Sequence, residues 1–347
     1  MRAIYCLFLL VLIGCKENEK QADARPSFTR VEILPILEDS VSVRAIEVMG
    51  QNLAFAANRG WYGLYNDATG DFKVNLQEQD SIAPEFRAVA STDNDFFMLS
   101  VGSPALLYKT GDTGRMELVY RDDHPDAFYD AMTFWNNTEG IAMGDPTDGC
   151  LSVIITRDGG QTWNKLECDV LPAVEEGEAA FAASNSNIAV AGNNAWILSG
   201  GMRSRIFYTG NKGNSWQVYD TPLVQGETTT GGYSIDFYND KIGIIAGGDY
   251  TNVELNTGNL AVTDDGGKTW KLVSEGSGPG YISGVRFVPN SNGNEVVAVG
   301  PGGIFYSENA GQNWEKLSAE ALHTLRFVTD STAYGGGNNR IVKLKFK

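Results

Sequence analysis

Thr263-Asp264-Asp265-Gly266-Gly267-Lys268-Thr269-Trp270 has three altered copies elsewhere in the chain. They are Thr156–Trp163, Thr209–Trp216 and Ser307–Trp314, and the shared frame is Ser/Thr-x-Asp/Asn-x-Gly-x-polar-Trp. Apolar runs flank the copies, as Leu260-Ala261-Val262 and Trp270-Lys271-Leu272 do around the first. Two short runs bracketing a Gly/Asp-rich connection make a β-hairpin. The Asp or Asn side chain bonds the backbone further along the turn, Gly supplies the positive φ, and Trp brings a large apolar face to bury beside it. Each part of the frame therefore has a folding task, and its acidic or amide residues Asp158, Asn211, Asp265 and Asn309 are read as structural.

The copies are regularly spaced. From Trp163 to Trp216, Trp270 and Trp314 the steps are 53, 54 and 44 residues, and a period of about 40–50 residues is that of a propeller blade. The unit is clearest in Gly284–Val288, Val296–Gly300, Gly303–Tyr306 and Trp314–Leu317. Another unit is read from Ala180-Phe181, with Ile188-Ala189-Val190 as its second strand. Two earlier units are worn: Thr110–Gly114 keeps Asp112 but not the Trp, and Tyr65–Gly70 keeps only its Gly. Steps of 46 and 44 residues, from Asp158 back to Asp112 and Ala68, preserve the register. A seventh unit (Leu325–Val328, Ala333–Gly337, Ile341–Leu344) stops before a fourth strand, while the alternating run Thr29–Leu34 has no hairpin partner. Closing the ring with that run removes an exposed edge. The expected fold is all-β, a seven-bladed β-propeller over residues 29–347, closed by an N-terminal strand.

The ten-residue apolar run Ile4–Ile13 is too short to span a bilayer. It reads as the core of a signal peptide over residues 1–14. Leu12-Ile13-Gly14-Cys15 resembles a bacterial lipobox, which makes Cys15 the lipidation site and 15–28 a polar tether. The protein is thus expected in the cell envelope, held to a membrane by its lipid, at the outer membrane or cell surface. The net charge of −16, without a Lys/Arg-rich run, excludes nucleic acid as a partner. Cys150 and Cys168 flank the Thr156–Trp163 hairpin almost symmetrically, and they form either a disulfide or two buried free thiols.

The inner strand, its Val-Gly or Ala-Gly ending, Gly-Ile-x-x-Ser, the turn and the Trp together resemble the repeat of BNR/Asp-box propellers. Among these the chain looks most like the YCF48/HCF136-like, photosystem II assembly factor-like family and its bacterial relatives, over Val43 to Leu344. That resemblance implies a binding or assembly role. Some relatives are labelled oxidoreductases, but no Gly-x-Gly-x-x-Gly opens a helix and there is no Cys-x-x-Cys-His, so no redox cofactor is expected. Sialidases share the Asp-box, but their Arg-Ile-Pro motif is missing.

Propeller ligands sit opposite the Asp-box turns. On that face the sequence places Asp145, Asp249, Tyr250, Arg59 and Arg203, with Asp130 and Glu178 in the inter-blade loops. Paired carboxylates among Asp130, Asp145, Glu178 and Asp249 would suit glycoside hydrolysis or lyase chemistry, and several together would suit Ca²⁺. Arg44, Arg87, Arg286 and Arg326 are read at one blade position with Thr133, Ala180 and Asp236. They form either a basic patch for a carboxylate or phosphate or ion pairs with neighbouring blades. The favoured function is a platform for a partner protein or glycan. The alternatives are a carbohydrate-active enzyme and an oxidoreductase of unknown class.

Overall fold

The computed structural model describes residues 26–347, and nearly all of its regular structure is strand. The leader, Cys15 and most of the tether lie outside the described residues. The strands gather into seven sheets. Blade 1 is Ala45–Met49, Asn52–Ala56, Trp61–Asn66 and Phe72–Leu76; blade 2 is Phe86–Ser91, Phe96–Ser100, Ala105–Thr110 and Met116–Asp122. Blade 3 is Tyr129–Phe134, Gly140–Thr147, Cys150–Thr156 and Asn164–Lys165; blade 4 is Ile188–Ala191, Asn194–Leu198, Arg205–Thr209 and Gln217–Asp220. Blade 5 is Thr230–Phe237, Gly243–Asp249, Leu260–Thr263 and Lys271–Leu272, extended by the short pair Glu178–Ala179 and Gly200–Gly201. Blade 6 is Gly284–Phe287, Val296–Gly300, Gly303–Ser307 and Glu315–Ser318.

Blade 7 closes the ring. Thr324–Phe327 pairs with the first part of Thr332–Phe346, and Val31–Ser42 pairs with the second part. Phe346 N–H donates to Ser331 O at 2.8 Å and Asn339 has φ 60°, so the long strand doubles back on itself and the blade has four ribbons. The first chain segment is therefore the outermost ribbon of the last blade. Packing starts slightly earlier than the alternation suggests: Phe28, assigned to the tether, is 2% exposed between blades 6 and 7.

Apolar residues of the described chain form seven clusters, each bridging two adjacent blades. The Asp-box hairpins supply much of this contact. In blade 5 the Asp265 carboxylate accepts the Thr269 N–H (3.0 Å) and hydroxyl (2.7 Å) and the Thr263 hydroxyl (2.8 Å). Partial burial pushes this carboxyl up, but those bonds outweigh it and hold it at about 2. Gly267 (φ +83°) brings the turn against Trp196 of blade 4, where a Cβ would lie 3.0 Å from the indole. Trp270 folds back to donate to Gly267 O at 3.0 Å and packs between blades 4 and 5. Trp270 is half-buried, whereas Trp163 of blade 3 is 6% exposed, and truncating a buried indole of that kind costs about 3–5 kcal/mol. Asp158, Asn211 and Asn309 make the same Ser/Thr and N–H contacts. Asp112 does not complete this frame: the Thr110 hydroxyl turns to Asp95 instead (3.0 Å), and the shortened turn is closed by Gly111 and Arg115.

Cys150 and Cys168 are joined by a disulfide, which ties the third strand of blade 3 to the loop beyond its hairpin.

Candidate functional site

The largest departure from the repeat lies between blades 3 and 4. Ala180-Phe181 does not open blade 4; Ile188–Ala191 is its inner strand and Asn194–Leu198 its second. The residues Ala180–Asn187 instead run into the central channel. Every other blade bonds them. Arg44 and Arg87 donate to Ala183 O (3.2 Å) and Ala182 O (3.5 Å) from blades 1 and 2. Asn185 donates to Val89 O at 2.7 Å and accepts Met132 N–H at 2.9 Å, linking blades 2 and 3. Ser186 O accepts Ile235 N–H from blade 5, Ser184 donates to Ser283 O before blade 6, and Ser184 O accepts the Thr324 hydroxyl from blade 7. The segment is a plug. Its small polar side chains fit the narrow axis, and the carbonyls of Ala182 through Asn187 all accept hydrogen bonds, as buried carbonyls require.

The plug separates two hollows. The outer one, opposite the Asp-box turns, is a cup of 610 Å³ floored by Ala179–Ala183. The inner one, of 180 Å³, lies at the Asp-box end beside Asn185.

This division splits the four arginines. In blades 2, 3 and 5 a bulge at the start of the inner strand singles out Arg87, Asp130 and Tyr233. Arg44, Ser283 and His323 precede the first regular pairs of blades 1, 6 and 7. Five of these six residues line the cup. Three residues further along five of these strands come Glu47, Thr133, Asp236, Arg286 and Arg326, which line the inner hollow. The single arginine position expected from the sequence is therefore two levels: Arg44 and Arg87 stand at the cup end of their inner strands, and Arg286 and Arg326 lie further along theirs, three residues past Ser283 and His323.

At the inner level the arginines are paired internally. Arg326 faces Glu47 of the next blade (3.8 Å) and donates to Asn185 O (2.8 Å), while Arg286 faces Asp236 of the preceding blade (4.0 Å). Burial, with Arg286 beside it, pushes the Arg326 guanidinium down to about 9. Of these groups, Arg326 holds the plug directly.

At the cup, burial and then the neighbouring Arg87 push the Arg44 guanidinium down. Arg87 also pairs with Glu85, through Nε at 2.8 Å. Above them stands an aromatic wall. Phe181 stacks on Tyr233 with ring centres 3.9 Å apart, and Tyr281 and Tyr250 meet Tyr233 edge-on at 4.8 and 6.4 Å. Tyr250 is 50% exposed and forms the accessible lip.

Of the four candidate carboxylates, only Asp145 lines the cup, where it accepts Ala180 N–H at 2.7 Å. Burial raises its pKa. Asp130 is 0% exposed and does not line the cup, and neither of its oxygens is hydrogen-bonded; burial first, then Asp145, holds it well above the usual carboxylate range. Glu178 is buried and taken up by Arg205 and Ser199. Asp249 caps its own turn through Thr251. Arg203 pairs with Asp220 at 2.7 Å, and Arg59 is an exposed left-handed turn residue (φ 57°); neither lines the cup. Among the described residues, no group of three or more His, Cys, Asp or Glu is placed to hold a metal ion.

Phe181, Tyr233, Tyr281 and His323 are cup residues that the sequence reading missed. The one local signal was the run Ala182-Ala183-Ser184-Asn185-Ser186-Asn187, small and polar between two strand-like runs.

The BNR/Asp-box repeat model matches residues 154–165 and 261–272, the hairpins of blades 3 and 5. The fold is similar to two solved structures. YCF48 bound to D1 peptide has a TM-score of 0.65 at 15% identity, covering 92% of this chain and 98% of that one. YCF48 from Cyanidioschyzon merolae has a TM-score of 0.63 at 14% identity, covering 91% and 98%. No curated protein matches the sequence. At these identities the likeness is one of fold: a seven-bladed propeller carrying BNR repeats.

Proposed function

We propose that this protein is an envelope binding platform that holds a segment of a partner polypeptide in the cup. The observation that carries the reading is the make-up of the cup: a closed floor, an aromatic wall ending in half-exposed Tyr250, and the guanidiniums of Arg44 and Arg87 beside it. Rigid aromatics and arginine are the residue types that dominate protein-recognition hot spots. A glycosidase needs two carboxyls facing its ligand, and of the four candidates the cup offers Asp145. The solved YCF48 bound to D1 peptide supports a peptide ligand by analogy of fold.

The proposed anchor fits this orientation. Ser27 donates to Glu308 of the blade 6 Asp-box turn, which sets the start of the described chain on the face opposite the cup. The ten residues between Cys15 and Pro26 span at most about 35 Å. A lipid on Cys15 would thus leave the cup facing away from the membrane.

A photo-crosslinking residue in place of Tyr250, used in the producing cells, tests the reading. Discrete polypeptide adducts are expected, weakened by Arg87→Ala. Oligosaccharide turnover that disappears in Asp145→Asn, without polypeptide adducts, would overturn it.

A further inference from the structure

The Asp-box indoles occupy equivalent places. Trp163, Trp216, Trp270 and Trp314 each pack into the cluster between their own blade and the preceding one. The junction of blades 1 and 2 breaks this series. In blade 2 Thr110 lies opposite Met116. In blade 5 Val262 lies opposite Lys271, which sets Thr263 against Trp270. Met116 therefore stands where the other hairpins carry Trp, after a turn one residue shorter, and it packs in the cluster between blades 1 and 2.

A thioether chain does not fill the place of an indole. What remains is a groove of 440 Å³ between Met49, Tyr62 and Leu64 of blade 1 and Phe96 and Met116 of blade 2. Its two rims are oppositely charged. Exposed Lys73 stands on blade 1, and exposed Asp112 stands on the blade 2 turn, which does not use it as a box acid. Among the described residues neither has a salt-bridge partner, whereas nearby Lys109 and Asp95 pair with each other at 2.9 Å.

We propose that this groove is a docking slot for a tryptophan side chain of an extended partner polypeptide, flanked by an acidic residue that meets Lys73 and a basic residue that meets Asp112. The chain's own fold shows four times that an indole suits this place in a blade junction. The rim charges specify the flanks. In an extended segment the residues two before and two after the Trp point the same way as it does, so the opposite charges fall at those positions. The slot lies on the Asp-box face, away from the cup, and stands or falls independently of the cup.

Met49 and Met116 both line the slot, and their methyl groups serve as NMR reporters. The probes are the capped peptides Asp-Gly-Trp-Gly-Lys and Lys-Gly-Trp-Gly-Asp, with Ala replacing Trp as control. One of the two orders is expected to shift both methyl signals saturably, while the Ala peptides leave them in place. Met116→Trp fills the slot from within and should weaken binding at least tenfold, read at Met49. Lys73→Glu, a surface change that spares the fold, should weaken the bound order at least threefold. Tyr250→Ala should leave binding unchanged. The proposal is overturned if neither Trp peptide moves the methyls, if the Ala peptides move them equally, or if both Met116→Trp and Lys73→Glu bind like the native protein.

Discussion

Asn185 is the residue on which the plug can be tested most sharply. Its side chain gives Val89 O one bond (2.7 Å) and takes one from Met132 N–H (2.9 Å), and the residue is 4% exposed. Its backbone is left-handed, at φ 54°, a conformation that Asn tolerates and Ala does not favour. Asn185→Ala leaves a carbonyl and an N–H in the propeller wall without partners. Each orphaned buried group costs about 1–3 kcal/mol, so the pair costs about 2–6 kcal/mol. The left-handed backbone adds about 1 kcal/mol more. Asn185→Gly removes the same bonds but relieves the backbone, so the difference between the two variants isolates the conformational part. Urea unfolding followed by tryptophan fluorescence measures both. The expected order of stability is native, then Gly, then Ala. If both variants unfold within about 0.5 kcal/mol of the native protein, the side chain does not bind the plug to blades 2 and 3, and the account of the channel fails.

Two further outcomes follow from the same geometry. Burial, then Arg44, pushes the His323 imidazole down to about 4, below its unfolded value near 6.5. The unfolded chain thus binds the extra proton first, so this contribution to stability is complete above pH 6.5 and is lost as pH falls toward 4. Urea midpoints compared at pH 7 and 4.5 should therefore drop less in His323→Gln than in the native protein; equal drops refute the assignment. The disulfide links residues 18 apart, so Cys168→Ser should cost about 3 kcal/mol in unfolding free energy. Native protein treated with reductant should lose a similar amount, and a loss below about 1 kcal/mol in both would show that the crosslink adds little to the hairpin.

The blade count was legible because its signals are local. A Thr–Asp–Gly–Trp turn needs only its own residues to form, so its spacing marks blades wherever it stands, and the worn hairpins at Asp112 and Ala68 keep the register. The closing strand was legible because a seventh unit lacking one strand and an unpaired N-terminal run imply each other. The turn at Asp112 shows the limit even there. Its register is right, but one deleted residue moved Thr110 to Asp95 and left a groove that spacing alone did not reveal.

The candidate site was only partly legible. Asp145, Tyr250, Arg44 and Arg87 come together at the cup, whereas Asp130 is fully buried away from its surface and Glu178 is paired with Arg205. Arg286 and Arg326 belong to the other end of the channel. Charge and loop position select residues near a mouth; they do not say which of them reach it.

Chain order and turn chemistry determined the architecture: seven repeats, their hairpins and the join between the two ends. The tertiary structure decided which residues face the axis and which hollow they face. Two physical causes separate these levels. In blades 2, 3 and 5 a bulge shifts the facing of the inner strand by one residue without altering its apolar pattern. The plug's bonds link residues as far apart as Arg326 and Asn185, 141 positions along the chain, so no window of sequence contains both partners.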